Sequence, residues 1–437
     1  MIAWDAERIA AAAGARLIAP APRVQARGAE GGEALHGPAR VTIDSRDVGP
    51  GDLFVGLAGE HVDGGAFAAD ALAAGAWGVL VAPEHAEAAR RVSTANPPVL
   101  LAADDPLAAL QALATAWRRD LGAKVIGITG STGKTSTKDI LRGMLRTQRR
   151  TVATPQNLNT EIGLPLTVLG APGDTEVLVL EMGMRGEGQI AELARIAEPD
   201  VGVIVSVGPV HLELLGTVER VAAAKAELLA GLPAGGTAVV PAGEPLLAAH
   251  LPGHVAVVTF GEGGDVDSLD GIELPFDAAH LRRNAMAAVA AARAVGVEPS
   301  GVIDVELSDR RGQRHELPGG VVVVDDCYNA NPMSMRAALD ELARAPGRRV
   351  AVLGDMLELG ADEVAYHEDI GDYARDGRAD VLVTVGPLAA HMRGERTTAD
   401  AAEAAAVVAE LMAPGDTILV KASRGVGLQA VAEALAG

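Results

Sequence analysis

The chain has 437 residues, 49% of them hydrophobic and 22% charged, a globular balance that excludes disorder. At about 100–200 residues per domain it has room for two to four domains. Its single cysteine, Cys327, excludes a disulfide framework and any multi-cysteine metal site, and a formal net charge of −21 argues against a broad nucleic-acid surface.

Aromatic residues are only 2%, so the cores must be built from Ala, Val, Leu and Ile. Met1 to Trp4 runs straight into Asp5, Glu7 and Arg8, with no basic leader before an apolar stretch. No window of about 18 apolar residues occurs, so no membrane span is expected, and the expected compartment is the cytoplasm.

Three blocks follow along the chain: 1–105, 106–298 and 299–437. In the first, 20–38 is rich in Pro and Gly and reads as loop. Extended segments at 41–43, 53–55 and 77–81 flank a helix near 66–74. Residues 104–121 form an amphipathic helix that looks like a connector. In the second block, apolar runs at 125–128, 177–180 and 201–205 alternate with helices from about 135, at 187–197 and at 218–231. Short, fully apolar strands between helices point to a parallel sheet covered on both faces. The third block repeats the alternation, with strands at 321–324, 349–353, 381–385 and 417–420, and reads as a second, smaller Rossmann-type sheet. The fold class is therefore α/β, in three domains.

Positive charge is carried almost wholly by arginine. Of 37 basic residues only Lys124, Lys134, Lys138, Lys225 and Lys421 are lysine. A compact amine that can lose its proton does work that guanidinium does not. Each lysine is thus a candidate for a chemical role, beside the plain alternative of a solvated surface charge.

The strongest motif follows the strand at 125–128: Gly130, Ser131, Thr132, Gly133, Lys134, Thr135 and Ser136, opening a helix. Glycines let backbone N–H groups turn toward phosphate oxygens, and the helix N-terminus adds positive potential. Lys134 can neutralise β- and γ-phosphate charge, and the Thr135 hydroxyl can ligate Mg²⁺. The spacing is a variant, because Ile128 stands where the usual pattern has its first glycine. Glu181 at the end of the 177–180 strand and His211 after the next strand sit where a crevice ligand would, and suit a Mg²⁺ site. Asn157 and Asn159 fit either turn chemistry or contact with substrate. The polar run 325–332 directly after a strand reads as a ligand crevice.

Together these motifs resemble the ATP-dependent Mur ligases of peptidoglycan synthesis, over nearly the whole chain. The resemblance rests on Asp44-Ser45-Arg46, the 129–136 loop, Asn157 to Thr167, Glu181-Met182-Gly183, His211-Leu212-Glu213, Lys225, His280 with Asn284, the 325–334 segment, the 353–367 segment and Lys421 to Arg424. It implies an N-terminal domain for a UDP-linked substrate, a central ATPase and a C-terminal Rossmann-like domain that closes over both. It implies that a peptide carboxylate is phosphorylated by ATP and that an amine then displaces the phosphate. Tyr328-Asn329-Ala330-Asn331-Pro332 most favours the member that adds D-alanyl-D-alanine to UDP-N-acetylmuramoyl-tripeptide. By motif match, Glu181, His211 and Lys225 join Thr135 as metal ligands, with Lys225 N-carboxylated. Asn284 and Arg311 would contact ATP. Asp325, Tyr328, Asn329 and Asn331 would face the dipeptide, and Asp44, Ser45 and Arg46 the UDP-linked tripeptide. A monomer is expected. Ser206 stands where the family often has Asn, and 240–280 is shorter than the family pattern. A sibling ligase, a P-loop kinase and a non-catalytic nucleotide binder are the alternatives.

Overall fold

In this computed structural model residues 4–19, 37–92 and 98–436 are described. Most of the expected 20–38 loop lies outside them. Three sheets organise the chain. The first contains β1 (Arg16–Ala19), β2 (Val41–Thr42), β3 (Leu53–Val55), β4 (Gly78–Val81) and β5 (Val99–Ala102). Its order is β1-β5-β4-β3-β2, parallel except for β1. Every residue of β3, β4 and β5 is buried, which accounts for their unbroken apolar sequence.

The helix Pro106–Leu121 starts where the Asp105 carboxylate accepts the N–H groups of Leu107 and Ala108, and ends at Gly122 in the left-handed region. It joins the first block to the second and packs against both. Leu110, Leu113 and Trp117 bury into one apolar cluster that runs from Trp4 and Ile9 through Leu101 to Leu164, Leu180 and Leu193. Trp117 meets Trp4 edge-on at 5.4 Å, and its indole donates to the Ala171 carbonyl at 3.2 Å. The first sheet is thereby fastened to the second by a shared core.

The second sheet contains β6 (Lys124–Thr129), β7 (Thr151–Ala153), β8 (Val177–Glu181), β9 (Val201–Ile204), β10 (Thr237–Pro241) and β11 (Ala256–Phe260). All six strands are parallel, in the order β11-β10-β9-β6-β8-β7. The shortened 240–280 stretch still supplies β11, followed by a two-stranded ribbon of β12 (Ile272–Glu273) and β13 (Gly301–Val302).

The third sheet contains β14 (Gln313–Leu317), β15 (Val321–Asp325), β16 (Arg349–Gly354), β17 (Val381–Val385), β18 (Arg396–Thr398) and β19 (Thr417–Lys421), in the order β14-β15-β19-β16-β17-β18. It is not smaller than the second: both have six strands. The missed pair are its edges, β14 and β18, which are rich in polar residues and lack a continuous apolar signal. The third sheet packs around its own apolar clusters. No described helix is long and apolar enough to cross a membrane.

Candidate active site

The carboxyl ends of β6, β8 and β9 face those of β15 and β19 across a cleft of about 1230 Å³. The phosphate loop forms its floor. Gly130 and Gly133 both have positive φ, +159° and +81°. A Cβ on Gly133 would lie 2.7 Å from the Asn284 side-chain oxygen, so the close approach of the helix Ala279–Ala294 also requires glycine there. Ser206 does a loop-holding job. Its hydroxyl accepts the Thr132 N–H at 2.8 Å and donates to the Thr132 carbonyl at 3.0 Å. Ser131 spans to Gly208 in both directions, at 3.1 and 3.0 Å. Lys134 folds back to donate to the Gly130 carbonyl at 2.7 Å. Burial lowers its pKa, with Glu181 opposing and Arg311 adding to the effect.

Glu181 is 2% exposed. One carboxylate oxygen accepts from Asn159 Nδ2 at 2.8 Å; the other is buried without any partner. An orphaned carboxylate oxygen in a buried setting fits a cation, so the residues present suit Mg²⁺. Among the described residues no three His, Cys, Asp or Glu side chains cluster as a ready metal cage. A cation held here would therefore draw on Thr135, which is 3% exposed, and on phosphate oxygens. Lys225, on the helix Val218–Ala230, is 1% exposed. Burial, then the Lys134 charge, hold its amine well below the usual lysine range.

The lysine expectation of solvated charge holds only for Lys124, paired with Asp200 at 2.8 Å and exposed. Lys138, Lys225 and Lys421 are each 2% exposed or less. Lys138 donates to the Thr154 carbonyl at 2.9 Å and pairs with Asp139 at 3.0 Å. Asp139 in turn accepts the Ser308 N–H at 2.8 Å, which fastens the start of the third domain to the phosphate-loop helix.

His211 lines the cleft in the left-handed region, at φ +53°. Its Nδ1 is hydrogen-bonded to the Glu358 carboxylate of the third domain. That contact is the main cause of Glu358's lowered pKa. Arg311 also reaches in from the third domain. Its guanidinium stacks on Tyr328 at 4.0 Å, and its Nε is buried without a partner. Tyr328, Asn329 and Asn331 line the same cleft. Asn331 additionally caps the helix Pro332–Leu342 through a reciprocal bond with Ser334.

Predicted residues at two places in the chain lie elsewhere. Asp325 is 4% exposed and does not line the cleft; its carboxylate accepts the Cys327 N–H at 3.0 Å. Its neighbour Asp326 lines the cleft instead, held by Lys421 at 2.6 Å. Alternation along a strand explains the swap, since adjacent side chains point to opposite faces. Asp44, Ser45 and Arg46 also stand outside this cleft. Arg46 grips Asp44 at 2.7 Å on the exposed first domain, lowering the Asp44 pKa to about 2. Sequence reasoning gave no role to Asp326, Lys421 or Glu358. The scarcity of lysine flagged Lys421, the polar run 325–332 included Asp326, and Glu358 fell in the 353–367 segment of the resemblance, but no signal gave any of them a role.

Three family profiles match the chain: Mur ligase family, catalytic domain, over 39–118; Mur ligase middle domain over 128–278; and Mur ligase, glutamate ligase domain, over 310–424. A UDP-N-acetylmuramoyl-tripeptide–D-alanyl-D-alanine ligase of Bacillus subtilis is 36% identical, with 92% of this chain and 93% of the relative aligned. Among solved structures, MurF from Acinetobacter baumannii superposes with a TM-score of 0.84 at 28% identity, covering 99% of this chain and 98% of that one. MurF from Thermotoga maritima in complex with ADP gives 0.80 at 31% identity, covering 91% and 97%.

Proposed function

The chain belongs to the Mur ligase family, and we propose that it joins D-alanyl-D-alanine to UDP-N-acetylmuramoyl-tripeptide. The products are UDP-N-acetylmuramoyl-pentapeptide, ADP and phosphate, in peptidoglycan precursor synthesis. One observation carries this reading. The phosphate loop and the unpartnered Glu181 oxygen of one sheet face Arg311 and Tyr328 of another across a single cleft.

A free carboxylate is a poor acylating agent, so it must first gain a leaving group. The terminal carboxylate of the tripeptide attacks the γ-phosphorus of ATP, the bond to ADP breaks, and an acyl phosphate forms. The amine of D-alanyl-D-alanine then attacks the acyl carbon, loses a proton, and phosphate departs. Two anions must meet in the first step. The N–H groups of residues 130–136 would cradle the phosphates, with Lys134 leaving the Gly130 carbonyl for phosphate oxygen. Arg311 would add charge from the third domain, and Asn284, packed on Gly133, would border the nucleotide. Bound Mg²⁺ would neutralise charge between the two anions. Thr135, Glu181, His211 and Lys225 are the residues we assign to hold it.

Lys225 fits that assignment as its carbamate. A lowered pKa supplies the neutral amine that N-carboxylation needs: the nitrogen bonds to the carbon of CO₂ and a proton is released. The new negative charge turns repulsion from Lys134 into attraction. Asn159 would orient Glu181, and Asn157 would border the substrate. Tyr328, Asn329 and Asn331 would border the dipeptide, with Asp326 in place of Asp325. Asp44, Ser45 and Arg46 are assigned to the UDP-linked end. The three sheets support three domains, divided near 105 and, because β13 pairs with β12 and Ile303 buries in the second core, a few residues beyond 298. One chain supplies both walls of the cleft, which supports a monomer, and the need for ATP supports a cytoplasmic setting.

Phosphate release from Mg-ATP with UDP-N-acetylmuramoyl-tripeptide tests the function. It should depend strictly on D-alanyl-D-alanine and yield the pentapeptide by mass. Turnover that ignores this dipeptide and responds to another amine would contradict the assignment.

A further inference from the structure

His211 and Glu358 meet from different domains. Both are non-glycine residues in the left-handed region, at φ +53° and +64°. A coincidence of two uncommon backbone conformations at one contact is a sign that the surroundings hold it in place. On the third-domain side the loop carrying Glu358 is braced from three directions. The Met356 N–H donates to His367 Nε2 at 2.9 Å, and the Leu357 N–H donates to Ser423 Oγ at 2.9 Å. Gly360, at φ +71°, lies so close to the segment after His211 that an added Cβ would come 3.1 Å from the Glu213 nitrogen. The Glu213 N–H reaches the Glu358 carbonyl at 3.4 Å. Arg185 of the second domain stands 3.8 Å from the other Glu358 oxygen.

A carboxylate on Nδ1 settles which nitrogen of a neutral imidazole carries the proton. Nδ1–H donates to Glu358, and the lone pair stays on Nε2, the nitrogen left for the cleft that His211 lines. We propose that Glu358 is a positioning residue that sets the tautomer and ring orientation of His211 across the domain boundary, so that the central domain's cation site is completed only when the third domain closes. This rests on the assignment of His211 as a metal ligand. Closure then does more than bring the dipeptide-facing residues into place: it readies a ligand on the opposite wall. The residue has the place of a carboxylate behind a metal-bound histidine, but it comes from another domain.

The test uses the full chain saturated with ADP, which supplies the phosphate oxygens the cation draws on, and two readouts. The first is the ¹⁵N spectrum of the His211 ring in metal-free protein. The wild type should show Nδ1–H with a bare Nε2, and Glu358→Ala should shift the ring toward Nε2–H. The second is Mn²⁺ binding, followed by the electron paramagnetic resonance signal of the free ion. Glu358→Ala should weaken it 10- to 100-fold. Glu358→Gln keeps an acceptor for Nδ1–H and should fall between wild type and Glu358→Ala, which guards against a folding defect as the cause. A wild-type ring already in the Nε2–H form, or one that Glu358→Ala leaves unchanged, overturns the proposal. So does wild-type Mn²⁺ affinity in Glu358→Ala when His211→Ala has lost it. Mn²⁺ binding that His211→Ala does not weaken, or no binding at all, overturns the metal-ligand assignment and with it the completion of a cation site; the ring spectrum still decides the tautomer claim.

Discussion

Gly133→Ala probes the phosphate loop where two demands coincide. The backbone at 133 has φ +81°, which an L-residue adopts at a cost of about 1–2 kcal/mol. The new Cβ would also stand 2.7 Å from Asn284 Oδ1 and 2.9 Å from Val205 Cγ1, both inside normal contact. The loop has a way out, because its hold on the neighbouring segment is a few hydrogen bonds from Ser131 and Thr132. It should relax, and its N–H groups should then no longer converge on one phosphate. At about 1.4 kcal/mol per tenfold, the loss in nucleotide affinity should be about 10- to 100-fold. Titration calorimetry with ADP measures it directly. Asn284→Ala removes one of the two clashes and none of the φ strain. The double variant should therefore lose less than the sum of the single losses, with a coupling of about 1 kcal/mol. ADP affinity in Gly133→Ala within twofold of wild type would refute the reasoning, as would strict additivity in the double variant.

Lys225→Met should abolish ligation, by at least about 100-fold in kcat, yet leave the melting temperature unchanged or higher. It removes a buried amine that faces another cation and replaces it with a chain of similar volume. A large fall in melting temperature would show that Lys225 has a stabilising partner. Lys138→Met should instead destabilise, by about 3 kcal/mol, because it strands the buried Asp139 carboxylate; denaturant titration reads it, and an unchanged midpoint would count against it. His367 is buried with its pKa lowered by burial, while Nε2 accepts the Met356 N–H and Nδ1 donates to the Glu363 carbonyl. The unfolded chain therefore binds the proton more readily, so this group's stability is present above about pH 6.5 and is lost as pH falls toward its lower folded value. His367→Gln should be less stable at pH 7.5 and lose less than wild type between pH 6.5 and 5, by thermal melts. An equal or steeper acid loss in the variant would contradict the sign.

Much of the second domain was legible, because β6, β8 and β9 are buried on both faces and their apolar runs are unbroken. The glycine spacing and Lys134-Thr135 marked the phosphate loop from chemistry that needs no tertiary information. The edge strands of the third sheet were not legible. β14 reads Gln-Arg-His-Glu-Leu and β18 reads Arg-Thr-Thr, each with a face to solvent. The connector expected at 104–121 is the helix Pro106–Leu121, but its packing was not legible, since amphipathicity shows that a helix packs but not against what. The Asp325 and Asp326 exchange turned on a one-residue choice of face that composition cannot make. The contact of Glu358 was illegible for a different reason. Its partner His211 is 147 positions away, and only the docking of two domains brings them together.

The route through an acyl phosphate makes the sharpest claim about the cleft, and oxygen tracing tests it. Tripeptide substrate carrying ¹⁸O in its terminal carboxylate would be turned over with Mg-ATP and D-alanyl-D-alanine, and the released phosphate analysed by mass. Attack of that carboxylate on the γ-phosphorus, followed by amine displacement, must leave one carboxylate oxygen in phosphate. One ¹⁸O per phosphate, formed in step with pentapeptide, is the predicted result. Phosphate free of ¹⁸O alongside pentapeptide would contradict the account, because the carboxylate would never have been phosphorylated.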